Sequence, residues 1–268
     1  MSSFLHGYHV RANSVRLHLL RYGGQGPRLL LLPGITSPAV TWGFVAERLA
    51  RHYDVHVLDF RGRGLSFSSP GMDASLDTMA ADVLDLMDVL GWSSVLVLGH
   101  SMGARVAVRA AARDPRRIGR LLLIDPPMSG PGRRAYPVPL SWYLESIQLA
   151  IRGITAEELR PYAPTWKVEH LQLRAEWLHT CSEEAIVQAH VGFHEDDIHA
   201  DLPKLRTPGL LMTAGKGGVV LPEDLAEIEV LAPDLKQCKA SAAGHMIPWD
   251  DEVDFHRLLG EYLKVDLL

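Results

Sequence analysis

The segment Gly99-His100-Ser101-Met102-Gly103 sets a serine between two closely spaced glycines. The apolar run Ser94 to Leu98 precedes it and the amphipathic stretch Met102 to Arg113 follows, so it reads as a sharp turn from a strand into a helix. Such a turn strains the backbone at the serine, and side chains larger than hydrogen at the flanking positions would clash with neighbouring strands. It also holds the hydroxyl at a helix N-terminus, where amide dipoles favour developing negative charge. A serine hydroxyl is a weak nucleophile until a base takes its proton. Of the thirteen histidines in the chain, His245 is the best placed. Gly244-His245 follows the last strand-like run and precedes Pro248 and a closing helix, which puts the imidazole on a loop at the carboxyl edge of a sheet. The chemistry expected of this pair is acyl transfer to Ser101 with His245 as general base.

The elements that must position these residues follow from hydrophobic period. Tyr8 to Val10 and Val15 to Arg21 alternate around Ala12-Asn13-Ser14, an antiparallel hairpin with Asn13 at its turn. Arg28 to Leu32, Asp54 to Leu58, Ser94 to Leu98 and Arg120 to Ile124 are short, nearly continuous apolar runs, the pattern of parallel strands covered on both faces. Leu76, Met79, Ala80, Val83, Met87 and Leu90 recur at helical spacing and stop at Gly91, and a second helix runs from Met102 to Arg113 before Pro115. After Asp125 this rhythm breaks. Pro126, Pro127, Gly130, Pro131, Gly132, Pro137 and Pro139 interrupt the chain, and aromatic-rich helical stretches occupy about Leu140 to Glu195. Gly209 to Ala214 and Lys236 to Ser241 resume the strand pattern, and Asp251 to Leu263 closes as a helix. The expected organisation is a core of residues 1–125 and 201–268 with a helical cap inserted at 126–200.

These features resemble the α/β-hydrolase superfamily. The resemblance rests on Leu32-Pro33-Gly34-Ile35 after the third strand, Asp59-Phe60-Arg61-Gly62-Arg63-Gly64-Leu65-Ser66 after the fourth, the turn at Ser101, and Gly244-His245. It implies an α/β fold with a mostly parallel eight-stranded sheet, helices on both faces and an inserted helical cap. It also implies that the backbone amides of Ile35 and Met102 form an oxyanion hole, although Pro33-Gly34 stands where the family commonly has His-Gly. The Asp59 to Ser66 segment is expected to shape a loop under the pocket. The family usually places its third catalytic residue, an aspartate, in a phrase like G-x-x-D-x-x-x-P. Here that phrase is Gly215-Lys216-Gly217-Gly218-Val219-Val220-Leu221-Pro222, with Gly218 in the acid's place. Glu223 and Asp224 read instead as first-turn helix residues. An alternative position known in the superfamily is the end of the preceding strand, which implies Asp125. The expected activity is hydrolysis of a small carbonyl substrate, an amide first, with an ester, an enol-lactone or a carbon-carbon bond as alternatives. A hydrolase-shaped binding protein would lack a complete Ser101, Asp125 and His245.

Composition excludes other classes. Hydrophobic residues at 47% and charged residues at 22% are globular averages. A net charge of -5 gives no broad attraction to nucleic acid or anionic lipid. The longest apolar runs are strand-sized, so no membrane span is expected. Cys181 and Cys238 are too few and too far apart for a disulfide framework, and with no signal-peptide core the expected compartment is the cytoplasm. No dinucleotide or Walker motif occurs, and Gly215-Lys216-Gly217 lacks the Ser or Thr a phosphate loop requires. His194 and His199 would point about 140° apart on a helix and read as a solvated loop rather than a metal site. No cofactor and no metal are expected, and the expected partner is a small-molecule substrate. Trp142, Tyr143, Tyr162, Trp166, Trp177 and Phe193 are candidates to cover the serine. Arg133, Arg134, Arg152, Arg160, Lys167 and Arg174 are candidates to hold a substrate carboxylate, and among all of these Arg133, Arg134, Trp166 and Phe193 are the leading substrate-binding candidates.

Overall fold

The computed structural model describes residues 2–268. Its eight strands are β1 (Phe4–Ala12), β2 (Val15–Tyr22), β3 (Arg28–Leu32), β4 (Asp54–Asp59), β5 (Val95–His100), β6 (Ile118–Ile124), β7 (Gly209–Ala214) and β8 (Leu235–Ala240), all within the described residues. The helices are α1 (Gly43–Leu49), α2 (Leu76–Val89), α3 (Met102–Arg113), α4 (Leu140–Ile151), α5 (Ala156–Leu159), α6 (Val168–Trp177), α7 (Glu183–Glu195), α8 (Pro222–Leu231), α9 (Ile247–Asp250) and α10 (Glu252–Leu263). Among the described residues no helix is long and apolar enough to cross a membrane.

The strands form one sheet in the order β1-β2-β4-β3-β5-β6-β7-β8. The β1–β2 and β2–β4 pairs are antiparallel and the rest are parallel. Asn13 and Ser14 both adopt positive φ, the geometry of a tight hairpin turn between β1 and β2. Every residue of β4, β5 and β7 is buried, as strands covered on both faces must be. β5 begins one residue later than its apolar run because Ser94 has φ 54°, outside the strand region.

Strand β4 lies on one side of β3 and β5 on the other, so the direction of winding reverses between β3 and β5. At such a switch point the loops leaving the carboxyl ends diverge and open a crevice. Ile35 follows β3 and Ser101 follows β5, so both border it. Helices α4 to α7 lie between β6 and β7 in sequence, within the stretch 126–200.

Candidate active site

Ser101 follows the last residue of β5 and precedes the first of α3 with φ 52° and ψ -117°, a strained conformation for a residue with a Cβ. The flanking glycines explain how the chain makes this turn. A Cβ on Gly103 would come within 2.0 Å of the Leu32 carbonyl oxygen, and one on Gly99 within 2.5 Å of the Gly103 carbonyl oxygen. Gly103 thus lets α3 press against the end of β3, as expected, whereas Gly99 is confined by the helix start itself. The Ser101 amide donates to the Ile124 carbonyl at 2.9 Å, which extends sheet pairing to the turn.

His245 Nε2 lies 3.0 Å from Ser101 Oγ, and His245 Nδ1 lies 2.7 Å from Asp125 Oδ2. A carboxylate only accepts, so Nδ1 carries the proton and Nε2 is left to accept from the serine. Asp125 is fully buried at the end of β6 and also accepts from the Val219 amide at 3.0 Å and the Ala214 amide at 3.3 Å. The His245 loop is pinned on two sides. Asp250 Oδ2 accepts from the Gly244 amide at 3.0 Å, and the His100 Nε2–H donates to the His245 carbonyl at 3.1 Å. Burial, with the neighbouring His245 adding to it, pulls the His100 imidazole down to about 3, so His100 is a neutral brace. No sequence signal marks this contact, since His100 and His245 lie 145 residues apart.

The glycine at 218 has a spatial cause. A Cβ there would meet Asp125 Oδ1 at 3.0 Å, Oδ2 at 3.1 Å and the Ala214 Cβ at 2.7 Å. The carboxylate reaching across from β6 fills the volume a side chain in the β7 turn would need. Gly218→Ala is therefore expected to push Asp125 off His245 and lower kcat/KM on a chromogenic ester by about 10- to 100-fold. Gly217 adopts φ 68° with nothing near its Cβ position, so Gly217→Ala should reduce thermal stability and spare kcat. Equal kinetics for the two variants would show that crowding of Asp125 is not what Gly218 avoids.

The turn bearing Ile35 runs beside the serine, since a Cβ on Gly34 would lie 3.6 Å from Ser101 Cβ. Among the described residues neither the Ile35 nor the Met102 amide donates to a backbone acceptor outside its own element. Two N–H groups are thereby left for an oxyanion. Arg63 holds both residues from below. Its Nε donates to the Ile35 carbonyl at 3.1 Å and Nη2 lies 3.6 Å from Met102 Sδ. The rest of the Asp59 to Ser66 segment is bound up internally. Asp59 accepts from the Ala39 amide at 2.6 Å and from His18 Nδ1 at 2.7 Å, and Arg61 pairs with buried Asp82.

Ser101, His245, Gly34 and Ile35 border a cavity of about 420 Å³, within the usual range for small-ligand sites. Trp142, Tyr143, Tyr162 and Trp166 form its far wall, together with Val138 flanked by Pro137 and Pro139. Trp166 stacks on Trp249 at 4.9 Å. Three leading candidates from sequence lie elsewhere. Phe193 is buried off the cavity against Tyr136 at 4.6 Å and under the Arg105 guanidinium, because its face of α7 packs on the core. Arg133 is paired with Glu227 at 2.7 and 2.8 Å, and Arg134 with Asp224 at 2.8 Å. Trp177 does not border the cavity either. Arg160 pairs with Glu157, Lys167 pairs with Glu252, and Arg152 is exposed. Of the cations proposed from sequence, only Arg174 lines the cavity. His194 belongs to the last turn of α7, and His199 is buried 4.0 Å from Glu227 rather than solvated.

Residues 27–153 match the alpha/beta hydrolase fold family. The chain is 55% identical over 268 residues to N-formylmaleamate deformylase of Pseudomonas putida, covering all of both chains. Its structure is similar to the crystal structure of the N-formylmaleamic acid deformylase of Pseudomonas putida S16, with TM-score 0.91, 55% identity, and coverage of 95% of this chain and 100% of that one. E-2-(acetamidomethylene)succinate hydrolase shares the fold at TM-score 0.81 and 22% identity, over 98% of this chain and all of the other.

Proposed function

Because the chain belongs to the alpha/beta hydrolase fold family, we propose that it is a serine hydrolase that cleaves the N-formyl amide of N-formylmaleamate to formate and maleamate, a step of nicotinate catabolism. The observation behind the mechanism is the unbroken line from Asp125 Oδ2 through His245 to Ser101 Oγ at 2.7 and 3.0 Å, at the edge of a mostly apolar cavity. The choice of substrate is supported by full-length identity to the Pseudomonas putida deformylase.

In this reading His245 Nε2 takes the Ser101 proton as Oγ adds to the formyl carbon. The Ile35 and Met102 amides receive the oxyanion, and Asp125 stabilises the imidazolium. Collapse breaks the C–N bond while His245 returns the proton to the departing nitrogen, which frees maleamate and leaves formyl-Ser101. A water deprotonated by the same His245 then adds to the formyl ester. Its collapse releases formate and restores the serine. The formyl carbon is the less hindered of the two carbonyls on that nitrogen, and conjugation to the second acyl group makes the nitrogen a better leaving group than an ordinary amide. The helices of 126–200 serve as the cap that selects the acid.

NMR of the reaction mixture tests the assignment of the bond. Formate and maleamate are the expected products. Formamide and maleate would mean attack at the other carbonyl and would overturn the deformylase reading, and inertness towards N-formylmaleamate beside rapid ester hydrolysis would favour an esterase.

A further inference from the structure

Among the described residues three guanidinium groups are buried without a carboxylate partner: Arg63, Arg105 and Arg174. In two of them the protein engages four of the five N–H donors. Arg63 donates to the carbonyls of Ile35, Arg61 and Ala185 and approaches Met102 Sδ. Arg105 donates to the carbonyls of Pro127, Ser129, Gly192 and Asp196. Neither borders the cavity that holds Ser101.

Arg174 differs on both counts. It is 5% exposed and lines that cavity from α6, and it has only two protein hydrogen bonds, both to one residue: Nη1 to the Thr36 carbonyl at 3.1 Å and Nη2 to Thr36 Oγ1 at 3.2 Å. Its Nε and the remaining N–H of each terminal nitrogen donate to no protein acceptor among the described residues. The guanidinium lies over the Trp166 ring at 5.7 Å, which fixes its plane and leaves an edge free. The nearby groups that could turn anionic stay neutral, since burial pushes both Cys181 and Tyr143 up to about 12. A fixed, desolvated cation with free donors and no counterion is a site that lacks its anion.

We infer that Arg174 is the specificity-determining residue of this enzyme, receiving the carboxylate of the substrate through charge-assisted hydrogen bonds while the amide is presented to Ser101. This rests on the proposed hydrolase function and adds the group that selects an acid over its neutral analogue. Thr36 follows Ile35, so the cation that binds the carboxylate is hydrogen bonded to the same turn that supplies an oxyanion amide. The ligand class is a short linear acyl compound with a carboxylate at the end remote from the scissile carbonyl. An esterified or amidated end would leave the guanidinium buried and unpaired.

The test compares formate release from N-formylmaleamate and from its methyl ester, and 4-nitrophenol release from 4-nitrophenyl hemisuccinate and 4-nitrophenyl acetate. In Arg174→Met the acid-to-neutral ratio of kcat/KM should fall by about 10- to 100-fold in each pair, through KM for the acid. Arg174→Lys, which keeps the charge but not the fork, should fall between. A ratio unchanged from wild type in both pairs overturns the inference and leaves Arg174 as a brace between α6 and the Thr36 turn. Should Arg174→Met not fold, the wild-type enzyme decides: maleamate should compete with 4-nitrophenyl acetate hydrolysis and neutral maleamide should not, and equal inhibition by both overturns the assignment. Wild-type inertness towards N-formylmaleamate with acid selectivity retained on the nitrophenyl pair would remove the deformylase reading and keep the role of Arg174.

Discussion

Replacing Ser101 with alanine is expected to reduce kcat by at least ~10³-fold while the protein keeps its fold. Among the described residues Oγ is the one nucleophile within hydrogen-bond distance of His245 Nε2, at 3.0 Å, and in the proposed mechanism what survives its loss is the oxyanion pair and the cavity, which orient a carbonyl but form no acyl-enzyme. The fold should tolerate the change because the Ser101 side chain makes no capping hydrogen bond to α3. Alanine also keeps the Cβ, so the strain at φ 52° is unchanged. Formate release together with the thermal midpoint checks both halves, and covalent labelling by a fluorophosphonate should vanish with the hydroxyl. Near-normal turnover in this variant would end the serine mechanism.

The second large effect is expected at Asp125. Asparagine there should lower kcat by about 10³- to 10⁴-fold, because neither placement of its amide reproduces what the carboxylate does. With its oxygen in the Oδ2 position it still accepts from His245 Nδ1 and the Val219 amide, but its NH₂ then faces the Ala214 amide, donor against donor. With the amide reversed, NH₂ faces Val219 and forces the proton onto His245 Nε2, the tautomer that cannot accept from serine. In both cases the negative charge that stabilises the imidazolium is gone. Asp224 provides the contrast. It is buried, pairs with Arg134 and accepts from the Leu221 amide at the start of α8. Asp224→Asn should therefore lower the thermal midpoint with kcat within a few-fold of wild type. An active Asp125→Asn beside an inactive Asp224→Asn would move the acid to the helix.

How legible each part was follows from how local its cause is. The Ser101 turn could be read because a strand, two glycines and a helix are contiguous in sequence, and α3 spans the residues its apolar period marks, Met102 to Arg113. The inner strands β4, β5 and β7 were legible because a strand buried on both faces has no polar alternation. Helix α1 left no comparable mark, since its seven residues are too few to establish a period. The burial of His199 was not legible either. Its loop looks polar, and only the folded chain shows the ring buried, 4.0 Å from Glu227.

By itself, the sequence determined the order of elements, the serine at its strained turn and the histidine loop, each dictated by backbone sterics or by hydrophobic period over a few residues. Asp125 was reached only through the family resemblance, because position 218 holds glycine where the usual acid would stand. Tertiary structure decided the rest. That Gly218 is empty because the Asp125 carboxylate fills its space depends on β6 and β7 lying side by side. That Arg133, Arg134 and Lys167 are neutralised while Arg174 is not depends on which acids the fold brings to them, from positions as distant as Asp224, Glu227 and Glu252. A charge in sequence carries no record of its partner, because Coulomb attraction and desolvation act through space and not along the chain.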